Sequence, residues 1–119
     1  MPVKPLSASS LSLLMERIDF ARNGEIHSLT PLSPTSIEIR LSVQDKARGF
    51  DWINIVFRVD GVSDAKLVSD NVLSSLDMSE GISVEKNGIA IGNYTGRLNE
   101  APVYVVGAYM GYEELAYNS

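Results

Sequence analysis

Trp52-Ile53-Asn54-Ile55-Val56-Phe57-Arg58-Val59 is the stretch that decides the fold. Ile53, Ile55, Phe57 and Val59 fall on one side of a period-two alternation; Trp52, Asn54, Val56 and Arg58 fall on the other. Both sides carry apolar residues, the pattern of a central strand covered at least partly on each face. Asp60-Gly61 closes the run. Upstream, Ile37, Ile39, Leu41 and Val43 alternate with Glu38, Arg40 and Ser42, which predicts a neighbouring strand with one wet face. The polar segment from Gln44 to Gly49 suits the hairpin loop between them.

Further toward the N-terminus, Glu25 to Leu32 predicts a first strand, and before it the period changes to that of a helix. Leu11, Leu14, Met15 and Ile18 form one apolar stripe, with Ser9 or Ser10 as N-cap and Asn23-Gly24 as stop, so a helix is expected over about residues 10 to 22. Toward the C-terminus, Ala65 to Val68 reads as a short strand, and Asn71 to Met78 fits either a helical turn or a strand. Asn87-Gly88 between the alternating runs Ile82–Glu85 and Ile89–Ile91 predicts a type I′ hairpin. Val103 to Met110 supplies the last strand. The expected fold is α+β: one N-terminal helix packed on a curved, mostly antiparallel sheet of about six or seven strands. Residues 1-119 read as a single domain, with 1-8 and 112-119 frayed, although Leu115 and Tyr117 are apolar enough to dock.

Composition narrows the chemistry. One histidine, His27, and no cysteine remove thiolate nucleophiles, redox pairs, Cys-rich zinc sites and any two-histidine metal site within the chain. Fifteen acidic residues against ten basic ones give a net charge of -5, with the cations scattered, which disfavours nucleic acid. No signal-peptide core and no apolar run of membrane-spanning length is present, so the expected compartment is the cytoplasm, without membrane contact.

Each candidate for chemistry has a plainer reading beside it. His27, between Ile26 and Ser28, lacks a Gly-x-Ser-x-Gly elbow to serve and reads as a surface or edge-strand histidine. The acidic stretch from 60 to 85, with Asp60, Asp64, Asp70, Asp77, Glu80 and Glu85, offers oxygen ligands but not the EF-hand spacing. Its residue types are those of turns, or of an acidic surface for a basic partner. Gly88, Gly92 and Gly96 recur every four residues without the Lys-Ser/Thr of a phosphate loop, and read as hairpin, bulge and turn positions. Trp52 either packs under the helix or a loop, or joins Arg58 in an exposed patch of the residue types enriched at binding hot spots. The candidate binding residues are therefore Trp52, Arg58, Asp64, Asp70 and Asp77, with no catalytic residue, metal ligand or cofactor.

Phe50 to Phe57, then Gly61-Val62-Ser63-Asp64-Ala65, then Leu76 to Ile82, resembles small bacterial proteins of unassigned function, some of them similar to immunity proteins that accompany polymorphic toxins. The resemblance covers roughly residues 50 to 92 and includes no catalytic motif, so no functional residue is carried over. It implies a bacterial single-domain protein that acts by binding. The expected function is non-catalytic occlusion of another protein, or pairing with itself, with acidic residues steering a basic partner. The alternative is a carrier of a small apolar ligand in a pocket between sheet and helix.

Overall fold

The computed structural model describes residues 4–5, 8–85 and 87–116. Its strands are β1 (Lys4–Pro5), β2 (Glu25–Ser33), β3 (Ser36–Asp45), β4 (Asp51–Asp60), β5 (Asp64–Lys66), β6 (Ile82–Glu85), β7 (Gly88–Ile91), β8 (Val103–Val106) and β9 (Tyr109–Ala116). Helix α1 spans Ala8–Arg17 and the single-turn α2 spans Asp70–Leu73. All described pairings are antiparallel, and the α+β class holds.

The single sheet of six or seven strands is a correction: the nine described strands divide into a five-stranded sheet, ordered β1-β9-β4-β3-β2, and a four-stranded sheet, ordered β5-β8-β7-β6. The division happens inside Val103 to Met110, expected as one strand. Gly107 and Ala108 break it, so β8 and β9 lie in different sheets. A Cβ on Gly107 would lie 2.6 Å from the Asp60 carbonyl oxygen and 2.8 Å from Val59 Cγ1, so only glycine fits this crossing. The same corner is closed by Ala108 N–H to Asp60 O at 3.0 Å and Ser63 N–H to Val106 O at 2.9 Å.

The long central pair forms where the alternation put it. Ile37, Ile39, Leu41 and Val43 of β3 stand opposite Val59, Phe57, Ile55 and Ile53 of β4, and all eight are buried. Leu14 and Met15 of α1 and Ile18 just after it meet them on one side, and Ile82, Ile89, Ile91, Val103 and Val105 meet them from the second sheet, in one continuous core.

Three boundaries differ from expectation. The helix ends at Arg17, because Asp19, Phe20 and Ala21 adopt positive φ of 53°, 55° and 57°. Left-handed backbone costs a non-glycine residue about 1–2 kcal/mol; burial of Ala21 and Ile18, and the Asn23 N–H to Met78 O bond at 2.9 Å, offset it. Ser9 and Ser10 then fall within the helix instead of capping it. In the β6–β7 hairpin Glu85 pairs with Gly88, so the turn sits one position earlier than Asn87-Gly88, and Gly88 heads a strand; Lys86 lies outside the described residues.

Gly111 to Ala116, expected as a frayed tail, is strand β9, hydrogen-bonded to β4 and lying between β4 and β1. Lys4 and Pro5 pair with Tyr112 and Gly111. The rest of both expected tails, residues 1–3, 6–7 and 117–119, lies outside the described residues. Glu114 takes a core-side position opposite Ile55, where Arg17 of α1 pairs with it. Arg17 Nε also lies 3.0 Å from Asp45 Oδ1, and Asp45 is only 1% exposed.

Candidate functional site

Because β3 and β4 bury their odd-numbered residues from Ile37 to Asp45 and from Ile53 to Val59, their even-numbered residues form the outer face of the five-stranded sheet. Glu38 faces Arg58, Arg40 faces Val56, Ser42 faces Asn54 and Gln44 faces Trp52. β9 extends these rows with Gly111, Glu113 and Leu115. Arg40, Gln44, Trp52 and Arg58 stand exposed, while Val56 is buried among its neighbours. The charges are held along the strands: Arg40 Nε to Glu38 Oε1 at 2.7 Å, and Arg58 Nε to Asp60 Oδ1 at 3.0 Å. Ser36 Oγ donates to Asp60 Oδ1 at 2.6 Å, and this bond, helped by Arg58, holds the Asp60 carboxyl below the ordinary carboxylate value.

A bulge in β2 between Ile26 and Ser28 aims His27 at this face. His27 Nε2 lies 2.6 Å from Ser42 Oγ, and Ser42 Oγ donates to Asn54 Oδ1. A serine hydroxyl has one proton, so with that proton on Asn54, His27 is the donor to Ser42. The chain of donation runs His27 to Ser42 to Asn54 across three strands. That is the reverse of the polarity that would activate Ser42, and Ser42 is fully buried. A shallow cavity of about 260 Å³ lies beside it, lined by His27, Arg40, Asn54 and Val56.

The residues singled out by sequence are not all brought together. Trp52 and Arg58 share this face, but six residues of extended chain separate them by about 20 Å. They mark two ends of one face, with Asn54 and Val56 between. Trp52 is 36% exposed and lies on the side of β4 opposite the α1 core contacts. The three aspartates sit on separate elements. Asp64, in β5, accepts the Tyr104 hydroxyl at 2.9 Å, which raises the Tyr104 pKa. Asp70 opens α2. Asp77 accepts from the Ser79 N–H at 2.9 Å and from Asn93 Nδ2 at 3.1 Å; the Ser79 bond leads in holding its carboxyl low.

Alternation placed Arg40, Ser42 and Asn54 on the outward sides of their strands, but sequence reasoning did not single them out as site residues; it missed Tyr109, 74% exposed at the corner of the face opposite Asp60. The His27 bulge has no local signal. Among the described residues no three His, Cys, Asp or Glu side chains gather to hold a metal, and no helix is long and apolar enough to cross a membrane. No protein-family model matches the chain, and neither does any curated protein or solved structure compared with it, so the resemblance over residues 50 to 92 rests on those residues alone.

Proposed function

We propose that this chain is a non-catalytic protein-binding module, immunity-like and cytoplasmic, that covers a partner's working surface with the outer face of its five-stranded sheet. The observation that carries the reading is the outward display of Trp52, Arg40, Arg58 and Tyr109 on paired strands whose opposite side is the protein core. Trp, Tyr and Arg are the residue types enriched at interface hot spots, and side chains displayed on a hydrogen-bonded sheet need little backbone ordering on docking. The net charge of -5 favours a basic partner.

The test is affinity capture of the tagged chain beside a Trp52→Ala/Arg58→Glu variant. A stoichiometric protein partner is expected with the unaltered chain and is lost from the variant, while Asp70→Asn, on the other sheet's connection, retains it. Equal recovery from the variant would place any binding elsewhere. The apolar-carrier alternative draws on a cavity of about 420 Å³ between β2 and α2, with Ile26, Leu73, Leu76 and Met78 in its walls. The space between α1 and the sheet is filled by Leu14, Met15 and Ile18. A small apolar molecule that raised the melting temperature, with no protein captured, would favour that alternative.

A further inference from the structure

The outer face of the four-stranded sheet is built differently. Ser83, Ala90 and Tyr104 form one row across β6, β7 and β8, and the chain after β7 folds back over part of it. Tyr94 and Leu98 pack against Ala90, Ala101 and Tyr104. Beside this packed patch lies an open groove of about 740 Å³, lined by Glu80, Ser83, Asn93, Tyr94, Thr95 and three glycines. Its volume falls within the range of small-molecule sites, about 300–1,000 Å³, though the groove is open to solvent and its lining is mainly polar.

The groove's shape is set before any ligand arrives. Asp77 accepts from Asn93 Nδ2 at 3.1 Å, tying the 77–81 wall to the 92–96 wall. Gly81 has φ +73°, and a Cβ there would lie 2.0 Å from the Phe20 carbonyl oxygen, so that wall is clamped against the left-handed turn after α1. Tyr94 is held by the cluster beneath it while it lines the groove above.

The chemistry of the lining selects the ligand. No Lys, Arg or His lines the groove, and its one carboxylate repels anions, so a phosphate or carboxylate ligand is disfavoured. One carboxylate is too few for a hard cation, which takes six or more oxygens. The side chains of Glu80, Ser83, Tyr94 and Thr95 have no hydrogen bond or ion pair to another described residue. They present an acceptor-only carboxylate, three hydroxyls that both donate and accept, and an aromatic ring. A neutral sugar offers the complement: ring hydroxyls for the polar groups and a C–H face for the tyrosine. We infer that the groove between Glu80–Ser83 and Gly92–Gly96 is a binding site for a neutral saccharide, separate from the protein-binding face.

The experiment is an amide NMR titration of the 15N-labelled full chain with maltose, cellobiose and lactose, with inorganic phosphate and calcium as parallel probes. Saturable shifts at the amides of residues 80–83 and 92–96 with at least one sugar, and none there with phosphate or calcium, are expected. Glu80→Gln, a change at an exposed side chain without a partner, should weaken sugar binding about tenfold, because the amide oxygen still accepts but the hydrogen bond loses its charge assistance. Tyr94→Leu should weaken it further, and Trp52→Ala should leave it unchanged. No groove shift with any of the three sugars, shifts confined to other residues, a groove response to phosphate or calcium, or an unaltered titration in Glu80→Gln or Tyr94→Leu, would each overturn the assignment. None of these outcomes bears on the protein-binding face.

Discussion

Asp60 shows how one side chain links the outer face to folding. Its carboxylate accepts from Ser36 Oγ and pairs with Arg58, and its carbonyl accepts from Ala108 at the corner between the sheets. The folded-state pKa lies below the unfolded value of about 3.9, so the contribution to stability is present in full above that value. It is lost as pH falls through the lower folded value. Asp60→Asn should therefore be less stable than the unaltered chain near pH 7, with the gap narrowing steadily below about pH 4. Urea denaturation at several pH values measures it; a gap independent of pH would show that the carboxylate charge plays no part. The aspartate was legible in sequence as a strand terminator. Its partnership with Ser36 was not, because the two are joined only through the pairing of β3 with β4.

At the scale of elements, the segment from Val103 to Ala116 carries the largest departure from the sequence reading. Val103 to Met110 is apolar enough to suggest one strand, yet Val103, Val105 and Met110 are all inward, and the opposite parity of Met110 means that an unbroken strand could not bury all three. The break is steric: at Gly107 two chain segments cross at contact distance. Gly107→Ala should destabilise the protein by about 1–3 kcal/mol, the usual cost of overpacking, with the loss read as a lower denaturation midpoint at unchanged slope. An unchanged midpoint would mean the corner can open without cost. β9 escaped the alternation for a second reason. Its inward positions are Met110, Tyr112 and Glu114, and a carboxylate facing a core reads as surface until Arg17 is seen beside it. A half-buried charge is tolerated when paired, and the pairing residue here is 97 positions away. The outward Leu115 blurs the pattern further.

On the scale of the whole molecule, one core serves both sheets and α1, leaving two outer faces with distinct characters. One is a rigid display of Trp, Arg and Tyr; the other is a polar groove over a small aromatic cluster. The position of β9 next to β4 makes the C-terminal segment part of the main sheet. Removing residues 111–119 should abolish cooperative thermal unfolding, whereas loss of a frayed tail would leave the melting temperature within a degree or so. Circular dichroism and calorimetry distinguish the two.

What this sequence determined by itself is local: the alternation of β3 and β4, the apolar stripe of α1, the hairpin between β6 and β7, and the exclusion of cysteine and two-histidine chemistry. These follow from periods of 3.6 and 2 and from composition, which need no knowledge of distant residues. The tertiary structure alone decided the two-sheet division, the place of β9, the scattering of Asp64, Asp70 and Asp77, and the meeting of His27, Ser42 and Asn54. Each depends on a contact between segments far apart in the chain, a glycine crossing, a paired half-buried charge or a bulge, and such contacts leave no periodic trace.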